Sequence, residues 1–291
     1  MIEDIQSPID IHDELDISTS EVRQLFNQLL PKAEGPESRV IDAVRYAIAG
    51  AHGLRSFLAI QSGHLFDVEK TSLLRIGAAV ECAYASFLVR EDLPSLGNRG
   101  KRRGRSTIHV VFDEPTAILT ADALQAIAFE ILVDEETHPD PHIRCELIER
   151  LTKTVGRDGL VGGQMISLRA QQIKPHIGTI TRLQRLKTGS LISFACLSGA
   201  IVGRASQESC HALETFAHDL GLAMQVIEDL AEAGKAEGGA AKATFVSLLG
   251  PERAQEQAQL LAEQAKVHLE PFDEKAAFLR EVCNFVLTGQ Q

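Results

Sequence analysis

The sequence predicts an all-α fold in a single domain, and three observations support this prediction. Apolar residues recur at helical spacing along most of the 291-residue chain, and Gly or Pro signals separate the segments. Strand-type alternation is nearly absent, because only residues 108–112 offer a candidate strand. Residues 70–92 and 116–132 are apolar almost all round, as is typical of helices enclosed by other helices.

The elements follow in order. Residues 1–17 lack apolar periodicity and are predicted to form a flexible arm, so that the helical domain spans residues 18–291. A capping box at Ser18 and Glu21 predicts the first helix, Pro31 closes it, and Pro36 opens the second. A third helix is predicted at 54–65, and the central one at 70–92. Further helices are expected at 116–132, 140–155, 158–172, 178–201, 206–232, 251–270 and 272–288.

Composition excludes several functional classes. A formal charge of −11 and a pI near 5.4 give no bulk attraction to nucleic acid or to anionic lipid. The polar start of the chain does not resemble a signal peptide, and the longest apolar run, 191–203, is too short to span a bilayer. The five widely spaced cysteines are typical of reduced core thiols. We therefore expect a cytoplasmic protein that is not a membrane protein.

An acidic pair, Glu91 and Asp92, ends the predicted central helix, and we call it the first acidic cluster. A helix dipole disfavours anions at this end, so positive groups are expected nearby. Residues 91–105 carry two acidic and five basic side chains, which sum to +3. The basic residues are Arg99, Lys101, Arg102, Arg103 and Arg105.

A second acidic cluster, Glu228, Asp229 and Glu232, lies late in the 206–232 helix. Two carboxylate clusters at helix ends could together chelate a divalent metal while basic side chains bind the phosphates that the metal bridges. The alternative is that these charges mark the points where helices reach solvent. Spacing alone leaves both interpretations open.

Several segments, taken in order, resemble those of the trans-isoprenyl diphosphate synthases of the bacterial farnesyl or geranylgeranyl type. The resemblance extends from Val40 to Val286. Its segments are 47–57, the first aspartate-rich region at 80–104, I-L-T-A-D-A-L-Q-A-I-A-F at 118–129, Gly162-Gly163-Gln164, Lys187-Thr188-Gly189 and the second aspartate-rich motif at 225–232.

The resemblance implies a helical bundle around a central pocket, usually homodimeric. In this family, Mg²⁺ held between two aspartate-rich motifs binds an allylic diphosphate, which ionises to a carbocation. Isopentenyl diphosphate then attacks the cation, and pyrophosphate leaves. The expected partners are therefore small prenyl diphosphates.

The resemblance also implies residue roles, position by position. Catalytic roles fall to Lys187, Thr188 and Gln225; allylic diphosphate binding to Arg102, Arg103, Lys187 and Lys242; isopentenyl diphosphate binding to His52, Arg55 and Tyr84; chain-length control to Ser86 and Phe87; and metal binding to Glu91, Asp92, Glu228, Asp229 and Glu232. A core aromatic with a satisfied hydroxyl is the alternative for Tyr84, and core packing is the alternative for Phe87.

The chain departs from the family pattern at its metal and substrate ligands. Glutamate replaces the first aspartate at Glu91, and Gly97 stands where the third carboxylate is expected. His52 and Gly53 replace a lysine and an arginine. Mg²⁺ binding is therefore expected to be weak or lost, and a Gly97→Asp replacement is expected to strengthen it.

Two hypotheses follow. The chain is a weakened or divergent isoprenyl diphosphate synthase, or it is an inactive paralogue that binds prenyl diphosphates or regulates an active synthase as a heteromer. A terpene-cyclase-like reaction is a third, more distant interpretation.

Overall fold

The computed structural model describes residues 11–30, 32, 34–170, 177–233 and 245–289, and this part of the chain is overwhelmingly helical. The prediction of an all-α domain is confirmed. The helices are α1 (Ile11–Leu29), α2 (Ser38–Ala49), α3 (Leu54–His64), α4 (Lys70–Asp92), α5 (Ile108–Val111), α6 (Glu114–Val133), α7 (Pro141–Val155), α8 (Leu160–Ala170), α9 (Ile177–Gln184), α10 (Ser190–Val202), α11 (Gln207–Ala233), α12 (Phe245–Leu249), α13 (Pro251–Val267) and α14 (Ala277–Leu287). A π-helical turn (Arg185–Gly189) joins α9 to α10, and a 3₁₀ helix (Glu270–Ala276) precedes α14.

Helix α4 is the centre of the bundle, as its apolar circumference predicts. It packs against α6, α3, α1 and α10, and Leu73, Ile76 and Val80 are completely buried. Helices α3 and α10 approach each other so closely that a Cβ atom on Gly199 would lie 2.3 Å from the backbone nitrogen of Gly63. This contact requires glycine and fixes α10 beside the central helix.

Helix α1 begins at Ile11, earlier than predicted. Ile11 and Leu15 are buried, and they extend the apolar face that continues through Val22. The capping box at Ser18 is wrong, because Ser18 lies buried inside α1. Tertiary packing of one further turn thus outweighs the local start signal. Residues 1–10 of the predicted arm lie outside the described residues.

The candidate strand at 108–112 is also wrong, because residues Ile108–Val111 form α5. The strands lie just before it: β1 (Lys101–Arg102) pairs antiparallel with β2 (Arg105–Ser106). Arg103 and Gly104 form the turn with φ angles of 51° and 77°. Positive φ at both central residues is what a two-residue type I′ turn requires. The basic segment is therefore a short hairpin beside the end of α4.

Among the described residues, the two helices α4 and α6 are long and apolar enough to cross a membrane by length and composition. The two helices differ in burial. In the most apolar 18-residue stretch of each helix, 83% of α4 is buried inside the protein and 44% of α6 is. Ile118, Leu119 and Val133 on α6 are about half exposed, at 48%, 55% and 55%. Cys82, Cys196 and Cys283 are buried as expected, whereas Cys145 is exposed.

Candidate active site

The first acidic cluster lies buried at the C-terminal end of α4, where Arg102 of β1 contacts both of its carboxylates. Arg102 Nη2 donates to Glu91 Oε2 at 2.7 Å and to Asp92 Oδ1 at 2.7 Å. Its Nε lies 3.0 Å from each oxygen of Asp92. This fork-shaped geometry is the one in which a guanidinium binds carboxylates most strongly.

Lys187, on the π-helical turn, donates to the remaining oxygen of Glu91. Burial alone would raise the pKa of Glu91, but Lys187 and Arg102 lower it to about 2. Two carboxylates thus face two cations, and their formal charges cancel. The prediction of positive groups near this helix end is confirmed.

The loop after α4 is tightly closed around Gly97. The Gly97 nitrogen donates to the Glu91 carbonyl at 2.8 Å, and the Arg99 nitrogen to the Asp92 carbonyl at 3.1 Å. A Cβ atom at position 97 would lie 2.4 Å from the Glu91 carbonyl oxygen. A third carboxylate cannot be added here without moving the backbone, which opposes the expected benefit of Gly97→Asp.

The second acidic cluster has different neighbours. Asp229 on α11 accepts hydrogen bonds from two neutral amides, Gln225 Nε2 at 2.9 Å and Gln184 Nε2 at 3.1 Å. The Oε1 atom of the buried Gln184 has no hydrogen-bond partner among the described residues. Sequence reasoning missed Gln184, although it lies only three residues before Lys187. Glu232 is within α11, but its side chain lies outside the described residues.

The π-helical turn connects the two clusters. Lys187 contacts Glu91, while the adjacent Thr188 donates its hydroxyl to Gln225 Oε1 at 2.5 Å. Gln225 in turn holds Asp229. A π-helical turn adds a residue to a helix and is frequent at functional sites. The three candidate catalytic residues Lys187, Thr188 and Gln225 are therefore in one place.

The candidate isopentenyl diphosphate residues form a second group beside these. The buried Arg55 lies with its guanidinium carbon 3.6 Å from the ring centroid of Tyr84, and its Nε has no partner among the described residues. His52, Arg103 and Glu228 line the same small cavity. Arg103 therefore lies with this group, whereas the guanidinium of Arg102 contacts the first acidic cluster.

His52 contributes little positive charge to this cavity at neutral pH. Burial lowers the pKa of its imidazole, and Arg103 and Arg23 lower it further. A larger cavity of about 240 Å³ continues outward from His52 and Tyr84 along α2, α4 and the hairpin. Its walls are therefore basic on the hairpin side, where Arg102, Arg103 and Arg105 lie.

The chain-length candidates occupy distinct positions on α4. Ser86 donates its hydroxyl to the Ala121 carbonyl of α6 at 2.7 Å, so it holds two helices together. Phe87 is buried, and its ring centroid lies 5.9 Å from Lys187 Nζ. Phe87 thus places an apolar surface beside the candidate catalytic lysine. Lys242 lies outside the described residues.

The residues of the first acidic cluster do not fit a metal ion as they are arranged, because every carboxylate oxygen accepts from Arg102 or Lys187. The second cluster offers a better donor set, since the unpartnered Gln184 carbonyl oxygen belongs to the amide that holds Asp229. Within the described residues, three or more Asp, Glu, His or Cys side chains nowhere converge on a metal position.

The chain is similar to known proteins over most of its length. The polyprenyl synthetase family model matches residues 37–246. The chain is 32% identical to a farnesyl diphosphate synthase of Escherichia coli over 92% of this chain and 94% of the relative. It resembles the structure of an FPP/GFPP synthase from Zymomonas mobilis with 42% identity and a TM-score of 0.90, over 95% of this chain and 98% of that one. The chain belongs to the polyprenyl synthetase family.

Proposed function

We propose that the protein is an isoprenyl diphosphate synthase that condenses an allylic diphosphate with isopentenyl diphosphate, in a divergent and slower form. The observation that carries this proposal is the placement of Lys187 and Thr188, which join both acidic clusters beside Arg102. Relatives over nearly the whole chain that are named farnesyl and geranylgeranyl diphosphate synthases support it.

The reaction needs negative charge to be stabilised on the leaving group. The carbon–oxygen bond of the allylic diphosphate breaks, and its electron pair leaves with pyrophosphate. The double bond of isopentenyl diphosphate then forms the new carbon–carbon bond, and a proton is lost. Arg102 and Lys187 can donate N–H groups to the departing oxygens, and the apolar ring of Phe87 keeps water from the cation.

Mg²⁺ is the cofactor that the family implies, and in this chain the second acidic cluster fits it better. Asp229 and Glu228 would hold the ion, with the Gln184 carbonyl oxygen beside them and Glu232 on the same helix. When bound, such an ion neutralises charge on the diphosphate.

A second candidate function is an inactive subunit that binds prenyl diphosphates and regulates an active synthase. The occupied carboxylate oxygens of Glu91 and Asp92 favour it, because the family's first metal site is lost in that arrangement. The neutral His52 favours it as well, since it reduces the attraction for a second diphosphate.

A turnover assay separates the two functions. The full-length protein is incubated with isopentenyl diphosphate, Mg²⁺ and dimethylallyl, geranyl or farnesyl diphosphate, and the products are separated by chain length. We expect a farnesyl- or geranylgeranyl-length product that disappears in the Lys187→Ala variant. Absence of product from a protein that binds a prenyl diphosphate and associates stably with an active synthase would support the subunit instead.

We also propose that the protein is a cytoplasmic homodimer. The exposed apolar residues of α5 and α6, including Val110, Val111, Ile118 and Leu119, form a face that a second copy would cover. Light scattering should give twice the chain mass. An Ile118→Glu, Leu119→Glu variant should be monomeric, and a dimer that persists in this variant would contradict the proposed interface.

A further inference from the structure

We infer that the first acidic cluster binds no magnesium ion, because Arg102 and Lys187 occupy the places that metal ions would take on its carboxylates. This inference rests on the proposed function, since it describes how that site holds a diphosphate. Glu91 and Asp92 are then positioning residues, which fix two cations next to the substrate's leaving group.

All four carboxylate oxygens of the first acidic cluster already have a cationic partner. Asp92 has both oxygens within 3.0 Å of the Arg102 guanidinium. Glu91 gives one oxygen to Arg102 at 2.7 Å and the other to Lys187. A Mg²⁺ ion would have to displace at least one of these cations and then lie within a few ångströms of its charge. Repulsion at that distance in a buried site offsets the attraction of two carboxylates.

The loop supplies no further ligand to attract the ion. Gly97 has no side chain, and its Cβ position is blocked by the Glu91 carbonyl at 2.4 Å. The neighbouring Asn98 is exposed, and a neutral amide would add no charge to oppose Arg102 and Lys187. Mg²⁺ prefers octahedral sites built from carboxylates and water, so two already paired carboxylates are a poor site.

Metal bound together with a diphosphate would therefore be held from the side of the second acidic cluster. Asp229 accepts there from the amides of Gln184 and Gln225, and the buried Oε1 of Gln184 adds an oxygen that has no hydrogen-bond partner among the described residues. The two clusters would therefore neutralise the charge of the diphosphate in different ways. Fixed side-chain cations do so at the first cluster, and an exchangeable metal ion does so at the second.

The test measures metal binding directly. Mn²⁺, which reports its own binding by electron paramagnetic resonance, is titrated into the full-length protein with inorganic pyrophosphate present. We expect Asp92→Asn and Glu91→Gln to change Mn²⁺ affinity by less than about twofold and Asp229→Asn to lower it at least tenfold. The folded state of each variant is checked by its unfolding temperature.

A fourth variant tests whether Arg102 occupies the place of a metal ion at the first acidic cluster. Arg102→Gln removes four hydrogen bonds to three carboxylate oxygens and should create an additional Mn²⁺ site, which Asp92→Asn in the same chain removes. Arg103→Gln is the matched control, because Arg103 lies next in the hairpin but lines the neighbouring cavity; it should add no site.

The outcomes separate this inference from the proposed function. A tenfold loss of Mn²⁺ affinity in Asp92→Asn or Glu91→Gln would overturn the inference, even if the protein makes product at ordinary rates. No product in the turnover assay, combined with Mn²⁺ binding that depends on Asp229 alone, would contradict the proposed function and leave the inference standing.

Discussion

The two acidic clusters differ in the partners of their carboxylates. At the end of α4, Glu91 and Asp92 accept from a guanidinium and an ammonium group. On α11, Asp229 accepts from two amides. Residue types alone would group the clusters together as metal ligands. The partners separate them, because both carboxylates of the first cluster are paired with cations.

Removing the charge of Asp229 should have the largest effect on the reaction. Loss of one well-placed electrostatic group at an active site typically lowers kcat by about 10²- to 10³-fold, and we expect Asp229→Asn to fall in that range. Steady-state kinetics at saturating Mg²⁺ would measure it. A loss smaller than tenfold would show that the second cluster does not hold the metal, and would remove the contrast between the clusters.

The equivalent change at the first cluster should have a smaller effect. Asp92→Asn leaves Arg102 bound to Glu91, so we expect kcat/KM to fall only about tenfold, through imprecise placement of the guanidinium. The same substitution should lower the free energy of unfolding by about 1–3 kcal/mol, because it weakens a charged hydrogen bond in a buried site. Kinetics and chemical denaturation would give the two values. Equal losses for Asp92→Asn and Asp229→Asn would contradict the difference between the clusters.

The Gly97→Asp variant tests whether one substitution can restore the third carboxylate that the family pattern has at this position. The 2.4 Å approach of its Cβ to the Glu91 carbonyl predicts a lower unfolding temperature and no gain in Mn²⁺ affinity. Gly97→Ala is the control, since it adds the same Cβ atom without the carboxylate. A gain in affinity for Asp alone would show that the loop can open to complete a metal site.

Substitution of His52 should have the smallest effect, and it should change the KM for isopentenyl diphosphate alone. Because its pKa is lowered below the usual 6.5, the imidazole is neutral at pH 7.5, and His52→Lys should lower the KM for isopentenyl diphosphate about three- to tenfold there. In the wild type, affinity relative to His52→Asn should rise as the pH falls below 6.5 and the imidazole becomes protonated. Parallel pH profiles for the two proteins would place His52 outside the substrate site.

The helices could be predicted from the sequence wherever periodicity was long and continuous. Helix α4 has the predicted bounds 70–92, because it is enclosed on every side and its whole circumference is apolar. The start of α1 was predicted too late, and the candidate strand at 108–112 is a helix that follows the two strands of the hairpin. Packing of Ile11 and Leu15, and the turn conformation of Arg103 and Gly104, decide those elements, and neither is visible in a short window of sequence.

The family resemblance named a set of candidate residues, but the contacts among them could not be read from the sequence. The family resemblance identified Lys187, Thr188, Gln225 and Asp229, which the structure brings together. It did not show that Arg102 binds the first cluster while Arg103, one residue later, lies near Arg55. Arg102 ends β1, whereas Arg103 has a φ angle of 51° in the turn, so the turn conformation gives the two neighbours different contacts.

Because a π-helical turn forms at Arg185–Gly189, the geometry of this site depends on the number of residues in that segment as well as on their types. One residue corresponds to about 100° of rotation around a helix axis. Deleting Arg185 or Leu186 would leave every candidate catalytic side chain present, yet would rotate α9 and Gln184 relative to α10 by that angle. Insertions and deletions in this turn therefore threaten the connection between the two clusters more than conservative substitutions do.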